Sequence, residues 1–160
     1  MLRISLVFLL VFSLAACAGS VTDPEYPLEF TGQIDVTYSS SEYLIDAVYS
    51  SGNLELKFIE PESLKGFIFV VGSDGVSVSR DSLELTYDPE MIETICPLST
   101  IFYALEYIDS VKPEYNSDGD YICSEFSVEG KDCKVYLNKD DYNLAKISTE
   151  DFLCNFNYVN

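Results

Sequence analysis

The chain contains no histidine and no tryptophan, and only 2 methionines and 9 basic residues among its 160. Without histidine there is no Ser-His-Asp or Cys-His relay, no imidazole metal ligand, and no side chain that ordinarily titrates near neutral pH. An enzyme built on this sequence would have only carboxylate, lysine or tyrosine chemistry to use. The shortage of Lys and Arg excludes a second class. Against 27 acidic residues it leaves a formal charge of −18, which repels phosphate backbones and anionic headgroups alike. There is also no Cys-x-x-Cys pair of the kind redox exchange uses, no Asn-x-Ser/Thr site, no repeat at a fixed period and no low-complexity run.

What is present begins with an address. Met1 to Arg3 is a small positive start, and Ile4 to Leu14 is an apolar run broken only by Ser5 and Ser13. That is about half of the ~20 residues a membrane span needs, and the build is that of a secretory signal. The run ends in Leu14-Ala15-Ala16-Cys17, which resembles the lipobox of bacterial lipoproteins. The resemblance implies a signal peptide over residues 1–16, a diacylglycerol thioether on Cys17, and attachment to the outer face of the cell membrane. Two acyl chains on one residue satisfy the two-signal requirement for stable anchoring. The plainer alternative is an ordinary signal peptide cut after Ala16 or Ala18. Residues 1–16 contain Arg3 and no acid, so the remainder carries 8 basic against 27 acidic residues, formally −19.

Residues 17–27 read as a tether, rich in small residues with Pro24 and Pro27, and residues 28–160 as a single domain long enough for one core. Strand periodicity dominates that domain. Phe30, Gly32, Ile34, Val36 and Tyr38 alternate with polar residues, as do Leu54, Leu56 and Phe58, and Leu83, Leu85 and Tyr87. Phe67 to Val71 is a continuous apolar run expected to be buried on both faces, and Ser73-Asp74-Gly75 reads as a hairpin turn. Towards the end, Ile122 to Val128, Cys133 to Leu137, Leu144 to Ser148 and Phe152 to Tyr158 read as strands. One stretch departs from the period of two. From Pro97 to Ile108 the residues Leu98, Ile101, Phe102, Leu105 and Ile108 form one helical stripe, with a shorter helical turn at Pro89 to Glu93. An amphipathic helix must bury its stripe, and the only large apolar partner is the sheet. The expected fold is α+β and mostly antiparallel: a meander of about ten strands curved into an open half-barrel, with one inserted amphipathic helix on its concave side.

The order of parts is similar to that of the lipoprotein-carrier (LolA/LolB-like) superfamily. The likeness is carried by the strand meander, the Leu54-x-Leu56-x-Phe58-x-x-Pro61-x-x-Leu64-x-Gly66 stretch, the Ser73-Asp74-Gly75 hairpin, the helix and the closing Phe-rich strand. It is greatest to the membrane-anchored relatives in Gram-positive bacteria. The resemblance implies an apolar cavity able to hold an acyl chain or a lipidated partner. Leu98, Ile101, Phe102 and Leu105 are the candidate lining of such a cavity, although a helical stripe of this kind is more often ordinary core. The resemblance also implies a functional arginine in the cavity. After Arg3 the chain has only Arg80, beside Asp81 in an expected turn, and that role is not carried over. An envelope-complex interaction module using the same scaffold without a lipid is the rival expectation.

Three other groups bear on chemistry. Cys96, Cys123, Cys133 and Cys154 form an even set outside the cytoplasm, which fits either two disulfides or four buried thiols. If the turn after Val128 centres on Gly130-Lys131, Cys123 lies about 17 Å along the strand from the position facing Cys133, too far for a bridge. Cys133 with Cys154, alongside Cys96 with Cys123, remains open, as does Cys96 with either inward thiol. Glu114, Asn116, Asp118, Asp120 and Glu125 have the spacing of a calcium loop, but a strand rather than a helix follows, and no metal is expected. The pairs Asp140-Asp141 and Glu150-Asp151 fall in expected turns on an acidic surface. The reading is therefore of a non-enzymatic chain with no cofactor and no nucleic-acid partner.

Overall fold

The computed structural model describes Pro24 and residues 28–96, 98–128 and 130–158. The signal, Cys17 and most of the tether lie outside the described residues, as does Pro97. Eleven strands form one antiparallel sheet. Six come first: β1 (Phe30–Tyr38), β2 (Ser41–Ser50), β3 (Asn53–Glu60), β4 (Ile68–Gly72), β5 (Gly75–Arg80) and β6 (Leu83–Tyr87). A helical insertion follows, with a 3-10 turn at Pro89–Met91, the one-turn helix α1 (Ile92–Ile95) and the helix α2 (Ser99–Val111). The chain then makes β7 (Asn116–Asp118), β8 (Tyr121–Val128), β9 (Lys131–Asn138), β10 (Leu144–Ser148) and β11 (Phe152–Tyr158).

The sheet order is β6-β5-β4-β3-β2-β1-β11-β10-β9-β8-β7, so it is not one meander but two, sewn together through β1 and β11. The first and last strands therefore sit at the centre, and the helical insertion carries the chain from one edge to the other. The seam is specific. Ile34 faces Phe156, Val36 faces Cys154 and Tyr38 faces Phe152, so both inward rows coincide. Gly32 is required there, because a Cβ would fall on the carbonyl oxygen of Asn157. The ring of Phe30 lies across that bare backbone and meets Phe156 and Tyr158 edge-on at 4.8 and 4.9 Å.

The curvature follows from what α2 touches. It packs on both β4 and β8. Those strands stand seven places apart in the sheet order, about 34 Å if the sheet were flat. A helix of 13 residues is only about 20 Å long, so the sheet must wrap round it. The architecture is thus the expected open half-barrel with helices on its concave side.

Four details differ from the sequence expectation. The count is eleven strands because β7, three exposed polar residues, has no apolar alternation to announce it. The run at Phe67 to Val71 is buried on one face only, with Phe69 and Val71 inside and Ile68 and Val70 half-covered. Val128 pairs with Lys131, so Cys133 pairs with Phe126 rather than Val128. Finally, Leu83 and Leu85 lie on an edge strand and remain exposed.

Candidate functional site

Among the described residues, the interior of the half-barrel is packed around α2. Leu98, Ile101, Phe102 and Leu105 are 0–2 % exposed and belong to one continuous core with Ile34, Ile45 and Leu56. Tyr107 on the flank of α2 stacks on Phe126 of β8, with ring centroids 4.2 Å apart. The stripe that the sequence offers either as ordinary core or as a cavity lining packs, in this structure, between helix and sheet. Cavities among the described residues include one of about 470 Å³ beside Phe126, Lys134 and Ser148, one of about 620 Å³ beside Lys131, Asp132 and Glu150, and one of about 330 Å³ beside Tyr103, Glu106 and Tyr107 of α2.

A polar tie fixes the far end of α2. Asp109 accepts hydrogen bonds from the backbone N–H of Leu28 at 2.8 Å and from the Tyr49 hydroxyl at 2.7 Å. Tyr49 is buried, and burial together with the neighbouring Asp109 carboxylate pushes its phenol far above the ordinary value. This single carboxylate joins the point where the chain enters the domain to β2 and to the helix. A sequence signal for it exists: an acid in the last turn of a helix opposes the dipole and asks for a tertiary partner.

The four cysteines among the described residues, Cys96, Cys123, Cys133 and Cys154, are free, buried thiols. The register separates Cys133 from Cys154. Val135, Ile147 and Cys154 make one row across β9, β10 and β11. Cys133 lies two residues further along β9, so about 12 Å separates it from Cys154, beyond disulfide reach. Cys123 alternates with the inward Ile122 and Ser124 and stands outside the core that contains Cys96. The sequence expectation of Cys96 with Cys123 fails on that separation of faces. Burial pushes the thiols of Cys96 and Cys133 up to about 11, and that of Cys154 well above its ordinary value.

The acidic motifs form no centre. Asn116 to Asp118 pair with Tyr121 to Cys123 as a hairpin, and Glu125 bonds Lys134 across to β9. Asp141 is engaged by the backbone and side-chain amides of Asn143, and Asp151 by Thr149. Among the described residues no three Cys, Asp or Glu side chains gather as a metal site. Arg80 is exposed, and its guanidinium lies 4.9 Å over the Phe67 ring at the edge of the sheet, away from the interior. No described helix is long and apolar enough to cross a membrane.

No protein-family model matches the sequence, and no curated protein matches it. Solved structures with some likeness include a LolA superfamily protein from Nitrosomonas europaea, at 12% identity over 81% of this chain and 67% of that one, with a TM-score of 0.37. The structure of the CwlD amidase from Clostridioides difficile in complex with the GerS lipoprotein matches at 18% identity, over 77% and 75%, with a TM-score of 0.43. A putative outer membrane lipoprotein-sorting protein domain from Vibrio parahaemolyticus matches at 13% identity, over 81% and 67%, with a TM-score of 0.35.

Proposed function

We propose that this chain is a non-enzymatic, lipid-anchored docking module on the extracytoplasmic face of the cell membrane, engaging a protein partner through the outside of its half-barrel. The observation that carries the reading is the filled interior. Opening it would expose Leu98, Ile101, Phe102, Leu105 and Ile108, all now buried. Left uncovered they would cost on the order of 10 kcal/mol, at about 1.5–3 kcal/mol per side chain, so an internal ligand would have to replace that burial in full. A protein bound outside meets no such cost. The missing histidine and the scattered, already bonded carboxylates support the absence of catalysis.

A hydrophobic ligand or lipidated partner held inside the half-barrel is the second reading. One observation favours it: the residues that α2 turns to the sheet, Leu98, Ile101, Phe102, Leu105 and Ile108, are all apolar, so a lifted helix would leave a largely apolar trough. The two readings separate in intact cells. Crosslinking of the anchored chain is expected to yield a stoichiometric protein adduct and no lipid in extracts of the Cys17→Ser form. Lipid recovered repeatedly from that form, without a protein adduct, overturns the docking reading in favour of the second.

A further inference from the structure

The two edges of the sheet are not alike. β7 is three residues long and wholly polar, which is how natural proteins blunt an edge against unwanted pairing. β6 is five residues long and has β5 as its only sheet neighbour among the described residues. In antiparallel pairing alternate residues spend their N–H and C=O groups on the neighbour, and the others face outward. Among the described residues, the outer side of β6 thus presents peptide groups with no strand partner.

Beside that edge the apolar face of the sheet runs out from under its helices. One row crosses Leu56, Phe69, Val78 and Leu85, and burial fades along it from fully buried at Leu56 to 47% exposed at Leu85. The adjacent position on β6 is Leu83, 62% exposed. These two leucines form a ledge continuous with the core, on the same strand as the free peptide edge. Scattered single leucines would mean nothing; two on one face of an unblunted edge strand are what an added strand would cover.

Charge decides what fits. Between Gly66 and Val111 the only basic residue is Arg80, while Asp81 in the turn before β6, Glu84 on it, and Asp88, Glu90 and Glu93 in the helical segment after it are all exposed. A second copy of a chain with net charge −18 would bring acid to acid, and the tether's own charges are acidic too. We infer that β6 is the docking strand, and that it takes an extended segment of a partner protein whose alternate side chains are apolar and whose others are Lys or Arg. This rests on the docking reading above and names its surface.

The probe is a capped nine-residue peptide of alternating valine and lysine, titrated into the soluble Cys17→Ser chain while backbone amides are followed by NMR. Two comparison peptides matter, one with glutamate for lysine and one with the same composition in blocks, together with a control without peptide. The expected result is shifts and slowed exchange concentrated on Leu83 to Tyr87, affinity at least tenfold weaker in the L83S/L85S double variant, and little binding by the other peptides. Both leucines are exposed, so the double variant should keep the parent's thermal midpoint. L153S, which removes an exposed leucine from the opposite face of β11, should bind within twofold of the parent. Shifts scattered over the acidic surface, an equal response to the block peptide, or no loss in L83S/L85S overturns the proposal. So does concentration-dependent self-association through β6 without peptide, which would make a second copy the occupant. In cells, a photocrosslinker at position 85 should trap a protein that one at position 153 does not. Adducts from position 153 alone sink the β6 assignment but leave docking standing; a lipid-filled chain with no adduct sinks docking itself.

Discussion

At the scale of single residues, Asp109 and the thiols carry the sharpest consequences. Removing the Asp109 carboxylate leaves the Tyr49 hydroxyl buried with no acceptor and frees the backbone of Leu28. Asp109→Ala is expected to destabilise the domain by about 2–4 kcal/mol in chemical denaturation, and Tyr49→Phe by only about 1 kcal/mol, since the phenylalanine deletes donor and need together. Equal losses would contradict the tie. The buried thiols give a pH prediction. Cys96 has a folded value of about 11 against an ordinary value of 9.0, so its contribution is complete below pH 9 and is lost as pH rises towards 11. Cys133 adds to the loss in the same window, and Tyr158, pushed up to about 12 by burial, extends it upward. Stability should therefore fall between pH 9 and 11, by on the order of 2–3 kcal/mol for Cys96 alone. A Cys96→Ala variant should show a shallower alkaline decline. In the native protein at pH 8, a thiol reagent should label Cys96, Cys133 and Cys154 only as fast as the domain opens.

At the scale of elements, the helix and the seam show how far the sequence could be read. The stripe at Leu98, Ile101, Phe102, Leu105 and Ile108 was legible because a period of 3.6 stands out in a chain of period two. All five are buried, and Leu105→Ala is expected to cost about 2–5 kcal/mol by leaving a cavity between helix and sheet. Whether a stripe faces a packed sheet or an open pocket is not written in its spacing, which is why the interior's filling came only with the structure. The strands were legible for the same reason, but not their order. Nothing local in Phe152 to Tyr158 says that it pairs with Phe30 to Tyr38; that depends on matching inward rows and on a glycine opposite a carbonyl. Gly32→Ala should lower the thermal midpoint sharply, by the several degrees that a strained central pairing implies, whereas an alanine tolerated there would mean the seam lies elsewhere. The exposed leucines of β6 were hidden behind the same ignorance. An alternating strand looks alike whether it sits at the centre or at the edge.

At the scale of the whole molecule, the formal charge and the front of the chain set the working conditions. A surface this acidic repels itself, and salt screens that repulsion within about 8 Å at physiological strength. Adding ~0.5 M sodium chloride should raise the thermal midpoint, while a fall would mean that ion pairs such as Lys65 with Glu62 matter more than net repulsion. Cys17→Ser should move the protein from membrane to soluble fractions and abolish fatty-acid labelling. Retention of the label would place the lipid on another residue. Position and content remain separable: a chain can be anchored by its own lipid and still hold none within. The most direct test of the account is therefore native mass spectrometry of the Cys17→Ser chain isolated from cells that secrete it. The account predicts a bare polypeptide mass, because helix α2 and the sheet already fill each other's surfaces. A reproducible adduct of acyl-lipid mass, lost on Leu105→Ala and Ile101→Ala substitution, would contradict it.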